Sequence, residues 1–414
     1  MIDASLIDAA ATPYAPLIGA AALMRCAFRN ENLRPIGELL LARAQAHPDD
    51  ANAWLDASFL LQLIGQREAG LDIQHQALAL KSLYELPAPG RIENTEPALR
   101  LLVLMGPGDF MANTPIQFLL ETANIDAQVQ YLTLDLPLPE QVPDHDVLFV
   151  AIAQSDANAP LLRDVMQMLD GWPRPVINRP EQIAHLSRDG AWAKLAGAVG
   201  TVMPRTLRVE RDVAEQIASG ALDAAQLLDG AGFPLIVRPI DSHAGHDLLK
   251  VDDAAALAAY LAKQPATGFY LAAFVDYSGP DGRFRKYRVV LIDGVPYICH
   301  LAISSHWMVH YLNAGMDESA DKRAEEAREM LAFDKGFAVR HAAALADIDR
   351  RIGLPYLGID CAETGDGQLL IFEVDNAMVV HAMDDPGKYP YKRPAMDKVF
   401  TAFSAMLARA AGKA

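Results

Sequence analysis

The sequence predicts a mixed α/β and α+β protein that opens with a helical region. Three observations lead there. Residues 1–88 carry their apolar side chains at helical spacing. From Leu99 onward, short apolar runs alternate with helical stretches. The last third holds hairpin signals in which charged residues stand two apart. With 414 residues the chain exceeds one ordinary core, so two or three domains are expected.

Composition narrows the function classes. About half of the residues are apolar (51%) and about a fifth charged (21%), as in a well-packed globular protein. A formal net charge of −17 argues against a nucleic-acid surface and against docking on anionic membranes, and reads mainly as solubility. Cys26, Cys299 and Cys361 are scattered and odd in number, with neither metal spacing nor a disulfide framework, which points to a reducing compartment. The opening Met-Ile-Asp-Ala-Ser lacks the basic and apolar regions of a signal peptide. No apolar run nears the roughly 18 residues that span a bilayer. The expectation is a soluble, cytoplasmic protein.

In the helical region, residues 54–64 and 68–80 each carry an apolar stripe, with Gly65 punctuating the turn between them. An earlier pair is expected over 18–28 and 36–46, ending at Pro48. The stretch from Trp54 through Gly65 to Ala77 resembles a tetratricopeptide repeat, whose period is about 34 residues. The match is partial: a proline expected near Ser82 is missing and the upstream copy is degenerate. So short a stack must lean on the next domain or on a partner. It reads equally as a groove for a peptide or protein and as a structural prefix.

Pro87, Pro89, Gly90 and Pro97 mark a linker, and a small α/β layer is expected over 98–180. Its strands fall at 101–105, 129–132, 147–152 and 176–177, with a helix from about Pro115. Gly106-Pro107-Gly108 follows the first strand, but a third glycine and the later acidic residue of a dinucleotide fingerprint are missing.

The strongest chemical signal lies further on. Residues 357–360 read as a strand, Gly365-Asp366-Gly367 as a turn and 369–375 as the returning strand. Glu373 and Asp375 then project from one face, and the turn brings Asp360 beside them. Three carboxylates set within apolar strands would repel one another unless a cation held them, and hard oxygen donors suit Mg²⁺. Upstream, the apolar run ending at Arg238-Pro239 leads into a loop, Asp241 to Asp247, that holds His243 and His246. A fixed cation beside a small-residue loop suits a triphosphate. A third strand over 269–275 leads through a Gly/Pro turn into 286–292, which carries Lys286 and Arg288 on one face, and Asp293-Gly294 turns it back into 295–301.

In this order the pieces resemble the ATP-grasp superfamily, particularly the branch of glutathione synthetases and ribosomal-protein glutamate ligases. The resemblance covers about residues 99 to 400 and includes Ile177-Asn178-Arg179-Pro180-Glu181, Arg188-Asp189 and Pro204-Arg205-Thr206. It implies an ATP-grasp domain over 181–408 with a mobile lid over about 207–270. It also implies ATP and Mg²⁺ as cofactors. By resemblance Arg238 touches the α- and β-phosphates, and Arg188 is the earlier basic residue on the nucleotide. The stretch Ala273, Phe274 and Val275 meets the adenine edge, with Asp276 at the ribose. Arg288 stabilises the transferring phosphoryl group, His300 stands where a further basic residue is expected near the acyl phosphate, and Asp360, Glu373 and Asp375 are the magnesium ligands.

The sequence also departs from the family. Two nucleotide lysines are arginines, the phosphate loop is poor in glycine, the hinge glutamate is Ala273, and the third metal position, commonly asparagine, is Asp375. Seven of the eleven histidines (His243, His246, His300, His306, His310, His341 and His381) lie in the C-terminal half, with His306 and His310 spaced to share a helix face. A zinc site would want a third ligand that is not convincingly placed. Binding an anionic substrate or acting as a base suits these histidines better.

The implied reaction joins a carboxylate to an amine through an acyl phosphate, on small-molecule or peptide substrates, with the helical region holding a peptide or protein. The alternatives are an ATP-dependent phosphotransferase on the same fold and a non-catalytic nucleotide-binding repeat adaptor. An acidic surface with a short stack is compatible with a homodimer. Neither nucleic acid nor membrane is expected as a partner.

Overall fold

A computed structural model describes residues 3–91, 95–139, 141–242 and 245–413. His243 and Ala244 of the expected phosphate loop lie outside the described residues. The chain divides into two compact units: Met1–Ala153 with Asn158–Ile183 and Asn376–Ala414, and Gln154–Ala157 with Ala184–Asp375.

The first unit begins with five helices, α1 (Ala4–Ala11), α2 (Ala20–Phe28), α3 (Arg34–Ala46), α4 (Ala51–Leu63) and α5 (Arg67–Leu80). Asp50 caps α4 by accepting from the Ala53 N–H at 3.1 Å, and its carboxylate also takes the fork of buried Arg43. Gly65 turns the chain between α4 and α5 at φ +82°, a conformation glycine adopts without steric cost. A Cβ on Gly70 would stand 2.9 Å from the Ser58 carbonyl, so these two helices approach closely. Asp56 reaches from α4 to the start of α2, accepting from the Ile18 and Gly19 N–H groups at 2.8 and 2.9 Å.

The sheet of this unit has the order β1-β3-β2-β4-β5, from β1 (Leu83–Glu85), β2 (Leu99–Met105), β3 (Ile125–Tyr131), β4 (Val147–Val150) and β5 (Val176–Ile177). All pairs are parallel except β1 with β3. Every residue of β2 but Arg100 is buried, as a continuous apolar run between two covered faces requires. β1 falls where the sequence shows only helical spacing, because three residues are too few to display a period of two. The Gly-Pro-Gly turn follows β2. Asn113 takes both the N–H and the carbonyl of Gly106 (2.9 and 2.8 Å), and buried Gln74 of α5 takes both of Gly108 (2.7 and 3.0 Å). The sequence reading runs the last domain to 408, whereas residues 376–414 belong to this first unit. The helix Lys392–Ala410 buries Met396, Val399, Phe400, Phe403 and Met406, and Phe403 meets Phe149 of β4 edge-on at 5.7 Å.

The first strands of the second unit are β6 (Thr201–Val202), β7 (Thr206–Glu210), β8 (Leu235–Pro239), β9 (Leu249–Val251) and β10 (Gly268–Ala273). An antiparallel sheet of order β7-β10-β8-β9 packs Leu235, Val237, Phe269 and Leu271 against Ile217 and Leu257 of the helices Arg211–Ala218 and Ala254–Leu261. The other sheet, of order β12-β11-β13-β14-β6, contains β11 (Phe284–Ile292), β12 (Val295–Ser304), β13 (Tyr356–Glu363) and β14 (Leu369–Asp375). Residues 305–310 form a loop, so the expected helix through His306 and His310 does not exist. Tertiary contacts override the spacing there: the Trp307 carbonyl accepts from the Tyr277 hydroxyl and its indole meets Phe274 at 5.7 Å. No described helix is long and apolar enough to cross a membrane.

Candidate active site

The register of the second sheet places the chemistry. β11 sets Arg288 opposite His300 on β12 and opposite Asp360 on β13, and Asp360 in turn stands opposite Glu373 on β14. Residues directly opposite share a face, so His300, Arg288, Asp360 and Glu373 form one row across four strands. At the usual inter-strand spacing the row is about 14 Å long. The ladder slips between Arg288 and Val289 and again between Asp360 and Cys361. Bulges at such places re-aim side chains and are frequent beside active sites. Asp375 lies one step along the same face of β14, opposite Gly358.

The row is held by charge. Arg288 binds Asp360 through a fork, Nε to Oδ1 at 2.8 Å and an Nη to Oδ2 at 3.0 Å, while Lys286 reaches the same Oδ2 at 2.9 Å. Burial alone would raise the Asp360 carboxyl, but Arg288 and Lys286 hold it well below the ordinary carboxylate range. Burial also acts against ionised Glu373, and Arg188 and Arg238 reverse that and hold it down. Both acids are therefore ionised at neutral pH. Lys286, which the sequence places on one strand face with Arg288 but to which the resemblance assigns no role, is thus part of the row's charge.

Arg188 opens the helix Arg188–Leu195, capped by Ser187, whose hydroxyl accepts from the Gly190 N–H at 3.2 Å. From there it donates to Glu373 at 2.7 Å and to the Phe372 carbonyl at 3.3 Å. Arg238 sits at the end of β8 and ties down the loop after it, donating to the hydroxyl (3.0 Å) and carbonyl of Ser242. Burial and the neighbouring Arg188 bring its guanidinium down to about 10, so it remains charged at neutral pH. Gly245 in that loop approaches Met308, whose sulfur would lie 3.1 Å from an added Cβ.

Ala273 ends β10, and Phe274 donates its N–H to the Pro234 carbonyl at 3.0 Å. The Phe274 ring packs edge-on to Trp307, and the Lys250 ammonium stands 4.8 Å from its centroid. Val275 is half-buried, while Asp276 is exposed and accepts from the Ser278 N–H at 2.9 Å. Of the other histidines, His310 is half-buried. Its imidazole is held below its ordinary value by burial and by Lys286 and Arg288. His306 and His246 are exposed, and buried His341 pairs with Glu363 at 2.8 Å.

Among the described residues no three His, Cys, Asp or Glu side chains converge as a metal cluster. Mg²⁺ commonly takes only one or two protein carboxylates and completes its shell with phosphate oxygens and water. Asp360 and Glu373, adjacent across the ladder and kept ionised, fit that donor set.

No known family model matches the sequence. Among solved structures, the chain is similar to a RimK-domain ATP-grasp protein from Sphaerobacter thermophilus, with TM-score 0.43 and 16% identity over 74% of this chain and 99% of that one. It is also similar to a D-alanine–D-alanine ligase from Bacillus anthracis complexed with ATP (0.45 and 15%, over 76% and 99%). A third is the ATP-grasp ligase PsnB complexed with a minimal precursor, Mg and ADP (0.40 and 14%, over 75% and 99%). At these values no residue's role carries across, and the roles of the side chains rest on their own geometry.

Proposed function

We propose that the chain is an ATP- and Mg²⁺-dependent ligase of the ATP-grasp class, joining a carboxylate to an amine through an acyl phosphate. The observation that carries this reading is the row Arg288–Asp360–Glu373, with Arg188 bonded to Glu373 and Arg238 in its field. Fixed guanidinium groups beside ionised carboxylates are what phosphoryl transfer asks of a protein, since it needs charge and position more than covalent chemistry.

In this reading Arg188 and Arg238 bind the nucleotide phosphates, Ala273, Phe274 and Val275 border the adenine, and Asp276 meets the ribose. Asp360 and Glu373 would hold Mg²⁺, with Asp375 one step along. When bound, the metal neutralises charge between the phosphates. Arg288 faces the γ-phosphoryl group as the substrate carboxylate attacks it. ADP leaves, and an acyl phosphate remains. The amine then attacks the acyl carbon, the C–O bond to phosphate breaks, and an amide, phosphate and a proton are released. His300, beside Arg288, stands where it can orient or accept that proton. Residues 207–270 act as the lid that excludes water. The helical region binds a peptide carrying one of the reacting groups; a small molecule, an amino acid for example, supplies the other.

The test is release of ADP and phosphate from Mg-ATP in the presence of pooled amino acids and short peptides, with mass detection. The expected product has the mass of two components less water and disappears in Glu373→Ala. A stable phosphorylated product would make the chain a phosphotransferase. ATP binding that ignores both Mg²⁺ and Asp360→Ala, without turnover, would make it an adaptor.

A further inference from the structure

The row does not stop at His300, although β12 is the edge of its sheet. The Tyr311 ring lies against the imidazole, with centroids 4.5 Å apart and planes at 53°. Its hydroxyl is directed at Glu326, with carboxylate oxygens at 3.2 and 3.4 Å. Glu326 lies on the helix Ala320–Ala332, is fully buried, and accepts from the Leu301 N–H at 3.1 Å. One buried carboxylate thus fixes both the tyrosine that touches His300 and the backbone one residue beyond it. The connecting chain is strapped at both ends. Lys322 and Arg323 donate to the carbonyls of Ala314 (2.5 Å) and Met316 (2.8 Å), and Trp307 is held by Tyr277 and Phe274. The hydroxyl of Tyr311 therefore has a defined partner and its ring a defined place.

We propose that Tyr311 is a positioning residue for His300, with Glu326 as the anchor of its hydroxyl. The anchored ring is a side wall that fixes the imidazole's rotamer toward Arg288. This rests on the reading of His300 as a group at the reacting centre, because only there does its orientation affect the rate. A misplacement of an ångström can cost up to about 100-fold in rate, so losing the anchor is expected to lower kcat about 10-fold and leave KM for ATP within about twofold.

The experiment is side-chain ¹H–¹⁵N NMR of the full chain labelled at histidine, with His300 assigned from the His300→Gln spectrum, alongside Mg-ATP turnover. In Tyr311→Phe the His300 ring signals are expected to move and kcat to fall. Glu326→Gln, which keeps a neutral acceptor for both donors, is expected to retain the wild-type ring signals and most of the activity. Unchanged His300 signals in Tyr311→Phe overturn the inference whatever the turnover. Loss of ADP release in Glu373→Ala alongside those unchanged signals would overturn the positioning role alone. Undiminished ADP release in Glu373→Ala would instead break the ligase reading and with it the premise about His300.

Discussion

Asp56 and Asp360 are both buried carboxylates, and the protein treats them in opposite ways. Asp56, in the helical region, accepts from the backbone N–H groups of Ile18 and Gly19, and burial raises its carboxyl to about 7 despite them. Arg43 acts on it from a distance, and Asp50 opposes that help. Asp360 is equally sunk in its sheet but receives the fork of Arg288 and the ammonium of Lys286, and stays ionised. Burial alone pushes an acid toward its neutral form; a contacting cation keeps it charged, and the charged form is the one that can hold a metal ion. Asp56 ties α4 to the start of α2 through two backbone N–H groups, whereas Asp360 gathers two cations on one sheet face.

The largest effect expected from this contrast comes from Asp360→Asn. It leaves Arg288 and Lys286 without their carboxylate, so stability to urea should fall by about 3–5 kcal/mol. Mg-dependent ADP release should fall at least about 10³-fold. Unchanged urea stability would mean that the two cations find equal partners elsewhere and that the contrast is not one of pairing.

The two acids also predict opposite responses to pH. Asp360 and Glu373 have folded values below their unfolded ones, so their contribution is present above about pH 4 and is lost as pH falls through the folded values. Asp56 has a folded value above its unfolded one. Its contribution is full below about pH 4 and is lost as pH rises toward about 7, at a slope approaching 1.4 kcal/mol per pH unit. Urea titrations of wild type and Asp56→Asn across that interval should differ by this slope. Parallel profiles would place the Asp56 carboxyl near its ordinary value.

The smallest effect concerns a second contrast, between two small-residue turns. The loop after β8 is tied down by Arg238, whereas in the turn after β2 the backbone groups of Gly106 and Gly108 are already taken by Asn113 and Gln74. Gln74→Ala should cost about 1–3 kcal/mol through two unmatched groups on Gly108 and leave ATP affinity unchanged. A loss of ATP affinity would bring that turn into the nucleotide site.

Much of this was legible in the residues. The hairpin 357–375, the strand ending at Arg238-Pro239 and the helical pair around Gly65 follow from periods of 2 and 3.6 and from turn residues, which are local properties. The pairing of Arg288 with Asp360 was not, since register between strands whose residues stand 72 apart is a long-range fact. Tyr311 and Glu326 gave no signal, because a lone tyrosine and a glutamate on a charged helix are ordinary in sequence. The spacing of His306 and His310 suggested a helix, and Trp307's contacts decided otherwise.

By itself, then, the sequence determined the mixture of helices and strands, the apolar runs that become buried strands, and the inventory of arginines and carboxylates at strand ends. Those depend on side-chain period and backbone preference over a few residues. The tertiary structure alone decided which carboxylate meets which cation, which glycine amides are already bonded, and which unit takes the C-terminal helix. Each of those depends on groups distant in the chain meeting within a few ångströms, where burial and charge set whether an acid is neutral or ionised.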